Sequence, residues 1–169
     1  MKSGHNLSQV MQRIRRVSVA DRPAIVELLT THWGSPQIVS RGESHDASAL
    51  PGFVALNQDG DLTGLVTLHP SGGSCQIVTL DALVRGEGIG RTLVEAAIAF
   101  AAERNLKRLW LITSNDNVDA LAFYQKVGLR LVAIHKNAIT EARKVKPQIP
   151  MIGLHGISIQ DEIELEFIL

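Results

Sequence analysis

The chain has 169 residues, 45% of them hydrophobic and 20% charged, a size and balance expected of a single domain over residues 1–169. Basic and acidic residues number 17 each, so no net field favours nucleic acid or an anionic membrane, and neither is expected as a partner. The lone Cys75 excludes a disulfide framework within the chain, no apolar run reaches spanning length, and the basic N-terminus lacks the apolar stretch of a secretory signal, so a cytoplasmic protein is expected.

Residues 1–10 are polar and without period, and read as a frayed tail. Arg13 to Val19 alternates as a first strand. Asp21-Arg22-Pro23 reads as a helix start with Asp21 as N-cap, and Ile25, Leu28, Leu29 and His32 share one face of that helix. Gly34-Ser35-Pro36 ends it, and residues 35–51 read as a long loop. Gly52 to Leu56, Leu62 to Leu68 and Cys75 to Leu83 are expected as three antiparallel strands, joined through Asn57-Gln58-Asp59-Gly60 and Pro70-Ser71-Gly72-Gly73. Cys75, inside a strand, is expected to be a buried, inert thiol.

A glycine-rich loop follows, Arg85-Gly86-Glu87-Gly88-Ile89-Gly90, and then a helix to about Arg104 with Ile89, Leu93, Ala97 and Phe100 as its buried stripe. Asn105 suits a left-handed residue beyond its end. Arg108 to Thr113 is a short apolar strand. Asn115 or Asp116 is expected to cap the next helix, which Gly128 ends. Leu129 to His135 reads as a strand and Ala138 to Lys146 as a helix. From Glu162 to Leu169 glutamates alternate with Ile163, Leu165 and Phe167, as in a strand with one wet face. The order is β-α-βββ-α-β-α-β, then α and β. This predicts an α/β fold, with helices covering both faces of a central mixed sheet.

The glycine loop carries the chemistry. Glycines at 86, 88 and 90 leave backbone N–H groups bare, and the following helix adds unpaired N–H groups and the positive end of its dipole. Such a junction holds an anion, above all a phosphate or diphosphate. A dinucleotide fingerprint fails on spacing, because Arg91 stands where its third glycine belongs, and a P-loop fails for want of a Gly-Lys-Ser/Thr ending. The spacing R/Q-x-x-G-x-G/A fits Arg85, Gly88 and Gly90, with Ile89 and Leu93 in the usual context. A second segment, Asn117-Val118-Asp119-Ala120-Leu121-Ala122-Phe123-Tyr124-Gln125-Lys126-Val127-Gly128-Leu129, fits N-x-x-A-x-x-F-Y-x-K-x-G-F, with leucine for the last phenylalanine.

On these two motifs, in order and at the right spacing, the chain resembles the GNAT superfamily of N-acetyltransferases over about residues 12–136. The resemblance implies a bacterial-type, single-domain member with a GNAT-like sheet, mixed but mostly antiparallel. It implies acetyl-CoA as cosubstrate and no metal. Arg85, Gly86, Glu87, Gly88, Ile89, Gly90 and Arg91 would surround the diphosphate. Backbone groups near Leu80 and Ala82 would pair with the pantetheine arm, and Asn117 would contact the cosubstrate. Tyr124, the chain's only tyrosine, matches the family tyrosine near the sulfur and is the candidate general acid for the leaving thiolate. Asp81 is the candidate base or ammonium holder. His32 is a second candidate base, and with Trp33 it is a candidate for the acceptor pocket.

Other readings stay open beside this one. The acceptor is an amine on a small molecule or a peptide, not further identified, and a monomer and a homodimer are both compatible with the sequence. A non-catalytic acyl-CoA-binding sensor or interaction module is the alternative from another class. The six histidines show no H-x-x-x-H or H-x-C pairing, so a metal site is not expected, and no G-x-S-x-G elbow supports a serine hydrolase. The family's frequent strand glutamate has no clear counterpart, since Gln76 and Thr79 are neutral. Lys136, Arg143, Lys144 and Lys146, and later Asp161, Glu162 and Glu164, read either as solvated faces or as a tail closing one end of the acceptor pocket.

Overall fold

The structure is a computed structural model and describes residues 14–169; the tail expected over residues 1–10 and Arg13 lie outside the described residues. The chain runs through β1 (Ile14–Arg16), α1 (Arg22–Trp33), β2 (Gln37–Ser40), β3 (Glu43–Asp46), β4 (Gly52–Leu56), β5 (Leu62–Ser71), β6 (Ser74–Ala82) and α2 (Ile89–Glu103). It continues through β7 (Arg108–Ser114), α3 (Val118–Lys126), β8 (Arg130–His135), α4 (Ala138–Val145) and β9 (Glu162–Ile168). Seven strands form one sheet in the order β1-β4-β5-β6-β7-β9-β8, while β2 and β3 make a separate hairpin. Among the described residues only β6 and β7 pair parallel; the other neighbours are antiparallel. The α/β expectation of a mixed sheet flanked by helices holds. No helix among the described residues is long and apolar enough to cross a membrane.

Alternation along the strands builds a core on each face. On β5, Leu65 packs with Val54, Val78 and the α1 residues Ile25, Leu28 and Leu29. Its neighbour Val66 points the other way, to Ile77, Leu109, Leu111 and the α2 residues Leu93, Ala97 and Phe100. Each such side chain, fully buried, contributes about 1.5–3 kcal/mol. Cys75 is buried in the α2 core, and burial pushes its thiol up to about 11, as the expected inert thiol requires.

Several local expectations change. Residues 35–51 are not an open loop. Arg41 (φ 51°) and Gly42 (φ 76°) make the left-handed pair that a tight hairpin requires, and β2 and β3 flank them. Asp21 does not cap α1 with its side chain, because its carboxylate accepts from Arg15 (2.7 and 2.8 Å) and from the Ser18 N–H (2.7 Å). The guanidinium therefore holds Asp21 far below the usual carboxylate range. His32 is exposed and leaves the α1 buried face to Ile25, Leu28 and Leu29. Nor is the glutamate face of β9 simply wet: Glu162 is buried, and Arg108 pairs with Glu164 and Glu166.

Candidate functional site

The site begins where the two parallel strands part. β6 and β7 pair from Ser74↔Arg108 only as far as Ile77↔Leu111. Beyond that, β6 continues against β5 alone and β7 against β9 alone. A cleft of about 1120 Å³ opens in the gap, lined by Val78, Leu80 and Ala82 on one side and Ile112, Thr113 and Ser114 on the other. Backbone groups of β6 in this stretch have no strand partner on the β7 side, so an extended ligand with amides of its own can pair there.

The glycine loop and the start of α2 close one end. Arg85, Gly86, Gly88, Ile89, Gly90 and Arg91 all line the cleft. Gly88 is the N-cap of α2 at φ 72° and offers no side chain to the helix. The N–H groups of the first turn therefore lack both intrahelical and side-chain partners and face outward with the positive end of the dipole. Gly90 serves helix packing instead. A Cβ there would stand 3.1 Å from the Phe123 ring, so its absence lets α2 and α3 close up. Glu87 is the exception in the loop, since it faces a separate small cavity with Ile14 and Ala55, away from the phosphate end expected for it.

Tyr124 comes from α3 and Asn117 from the position just before it, and both line the cleft. The Asn117 side-chain oxygen accepts from the Ala120 N–H (3.2 Å), so Asn117 is the helix cap that had been expected at Asn115 or Asp116. Those two residues hold the C-terminal segment instead. Asn115 donates to the Ser158 carbonyl (2.8 Å), and its oxygen accepts from Gln160 and Asp161 (3.0 Å each). Asp116 accepts from the Leu154 N–H at 2.8 Å. The Tyr124 ring packs edge-on against Phe123 at 5.4 Å. Burial, then the Asp81 charge, pushes its pKa up, so the phenol stays protonated.

Asp81 lies between Leu80 and Ala82, so its side chain takes the opposite direction from theirs and is not part of the cleft lining. It meets the end of α1, where the Trp33 indole N–H donates to it, and His32 stands close enough to act on its charge. Burial raises its pKa, and the Trp33 hydrogen bond and His32 partly offset that. His32 and Trp33 themselves line the cleft. His32, Trp33 and Tyr124 line one wall, and Asp81 stands beside it, bonded to Trp33 and close enough for its charge to act on Tyr124.

The far end holds residues that had read as solvated faces. Lys146 is 8% exposed; its ammonium donates to the carbonyls of Trp33 (2.8 Å) and Gln37 (2.9 Å), and burial lowers its pKa. Glu162 is 3% exposed and accepts from the Arg41 N–H at 3.2 Å. Both line the cleft with Val39, Ser40, Gln148 and Ile159, so the C-terminal segment and the β2–β3 hairpin wall this end.

Known proteins share this architecture. The family model described as "Acetyltransferase (GNAT) family" matches residues 22–129. "Uncharacterized protein YxbD" of Bacillus subtilis (strain 168) is 44% identical over 134 residues, which are 79% of this chain and 84% of that protein. The "Streptothricin acetyltransferase" of Streptomyces lavendulae is 34% identical over 111 residues, 63% of this chain and 57% of that protein. Among solved structures, a Bacillus subtilis acetyltransferase in complex with CoA superposes with a TM-score of 0.67 at 20% identity, over 93% of this chain and 98% of that one. At that identity the likeness speaks for the fold.

Proposed function

The chain belongs to the acetyltransferase (GNAT) family, and on that premise we propose that it transfers the acetyl group of acetyl-CoA to a primary amine by direct attack in a ternary complex. One observation carries the reading: the gap between β6 and β7 ends on an uncapped helix start with bare glycine backbone. The first-turn N–H groups of α2, with Arg85 and Arg91, bind the diphosphate. The unpaired edge of β6 near Leu80 and Ala82 binds the pantetheine amides and aims a backbone N–H at the thioester carbonyl.

The acceptor enters from the end walled by α1, the hairpin and the C-terminal segment. His32 and Trp33 flank it. Asp81, whose pKa is raised, takes a proton from the incoming ammonium directly or through water. The neutral amine then attacks the carbonyl carbon; as the C–S bond breaks Tyr124 gives its phenolic proton to the leaving sulfur, and the second proton shed by the new amide nitrogen passes through water to restore the phenol. A relative named for acetyl transfer to streptothricin supports a small-molecule amine as acceptor; a peptide amine fits the same chemistry.

The test is a thiol-release assay with acetyl-CoA across a panel of small amines and amine-bearing peptides. Acceptor-dependent thiol release, with one acetyl group gained per thiol, is the expected result. Acetyl-CoA binding without release for any amine would make the protein a binding module instead.

A further inference from the structure

A second cluster lies outside the cleft. Glu43 and His45 sit at i and i+2 on β3, so both side chains leave the same face of the hairpin. His69 lies on β5 opposite Gln76 of β6, and Gln76 donates to Ser40 Oγ of β2 at 3.0 Å. Ser40 in turn pairs across the hairpin with Glu43. These pairings put His69 under the hairpin beside Glu43 and His45. One ligand atom from each of the three lies within 4.8 Å of the others. The two imidazole rings are 4.7 Å apart, and His45 Nε2 stands 3.6 Å from the Glu43 carboxylate. No member of the group lines the catalytic cleft.

The decisive feature is His45 Nε2. His45 is 9% exposed, and this nitrogen is buried with no hydrogen-bond partner among the described residues. A buried polar atom left unpaired is destabilising, and structures rarely tolerate one without a reason. The Glu43 carboxylate lies 3.6 Å from this nitrogen, and the His69 ring stands 4.7 Å from the His45 ring. The geometry points to a site for a divalent first-row transition ion held by Glu43, His45 and His69, which clamps the β2–β3 hairpin onto the sheet.

The donor set suits that class. Two imidazoles and one carboxylate match Zn²⁺, Co²⁺ or Ni²⁺, whereas Mg²⁺ and Ca²⁺ require oxygen donors. Bonds of about 2.0–2.2 Å set ligand atoms about 3.4 Å apart in a tetrahedron. His45 Nε2 and the Glu43 carboxylate, 3.6 Å apart, already stand near that spacing, and an ion would draw the three donors together from within 4.8 Å. The half-buried His69 side leaves a fourth position for water. The ion's role is structural: Val39 and Ser40 of the same hairpin line the cleft, so the clamp orders one of its walls. Sequence spacing hid the site, because His45 and His69 come from different strands and form no local motif.

The test uses the full chain, tag-free and stripped with chelator, titrated with CoCl2 and, separately, ZnCl2. Saturable binding of one ion per chain, with the visible absorption of nitrogen- and oxygen-ligated Co²⁺ in a low-coordinate site, is expected. Zn²⁺ should displace the Co²⁺, and Mg²⁺ should not. His69→Gln and His45→Asn should each weaken binding by about 100-fold or more, beyond what loss of an outer-shell partner does. His155→Gln should leave it unchanged. If His45→Asn fails to fold, the Co²⁺ spectrum of the native chain and the His69→Gln titration still decide. No saturable binding to the native chain, or full binding to His69→Gln, would overturn the site.

Discussion

The Trp33 indole N–H donates to both carboxylate oxygens of Asp81, at 3.2 Å to Oδ1 and 3.1 Å to Oδ2. The bond ties the last turn of α1 to β6 beside the cleft, between its glycine-loop end and the end walled by the β2–β3 hairpin. It also favours the charged carboxylate against a burial effect that opposes it. Removing the donor while keeping an aromatic ring should therefore raise the Asp81 pKa further. In Trp33→Phe, the acid limb of the kcat/KM profile should move to higher pH; an unmoved limb would remove Asp81 as the proton acceptor.

The same shift has a consequence for stability. Asp81 binds its proton more tightly in the folded chain than in the unfolded one, where a carboxylate titrates near about 3.9. Folding stability from this group therefore falls as pH rises from the unfolded to the folded pKa, and the deficit is complete above the folded value. Asp81→Asn should melt higher than the parent at pH 8, with the gap closing below about pH 4. Equal melting temperatures at pH 8 would contradict the burial effect. Because the carboxylate is half-buried and solvent-screened, the expected gap is small.

Tyr124→Phe keeps the ring against Phe123 and removes only the hydroxyl. It should lower kcat by about 10²-fold or more, the usual contribution of general acid catalysis. CoA affinity should stay close to that of the parent. Single-turnover kinetics separate chemistry from product release, and an unchanged chemical step would exclude the phenol as proton donor.

Gly88→Glu places a side chain at φ 72°, a backbone region that costs an L-residue about 1–2 kcal/mol. Beyond its chain neighbours, no atom of the described residues lies within 4 Å of the added Cβ, so the chain should still fold, with a carboxylate at the start of α2. Calorimetric titration should find CoA binding abolished while circular dichroism stays native. CoA binding at parental strength would refute the diphosphate assignment.

Lys146→Met should act through packing. It removes the donor to the Trp33 and Gln37 carbonyls and leaves two acceptors poorly satisfied, a loss of about 1–3 kcal/mol. Urea denaturation should show a lower midpoint, and KM for the amine should rise more than KM for acetyl-CoA.

The glycine-loop end of the cleft was legible because its residues are local in sequence. Glycines, a helix start and the following apolar stripe occupy one continuous segment, and Asn117, Phe123 and Tyr124 sit within one turn-and-helix unit. The end walled by the hairpin and the C-terminal segment was not. Lys146 meets Trp33 and Gln37 from more than 100 positions away, and Glu162 meets Arg41 across a similar span. A lysine or glutamate in an isolated segment reads as solvated, and only tertiary contact reveals that it is buried. The β2–β3 hairpin was missed because its turn puts the non-glycine Arg41 at positive φ, outside the Asn-Gly and Asp-Gly signals. Asn115 and Asp116 misled for a related reason: residues suited to capping had distant backbone partners that outcompeted the helix.

Bare backbone at the β6–α2 junction, gripping the diphosphate of the acyl carrier, is the central claim. Amide chemical shifts followed during a CoA titration test it most directly. Gly86, Gly88, Ile89, Gly90 and Arg91 are predicted to move together and saturate at one ligand per chain. Shifts confined to other residues, with these amides unmoved at saturation, would contradict it.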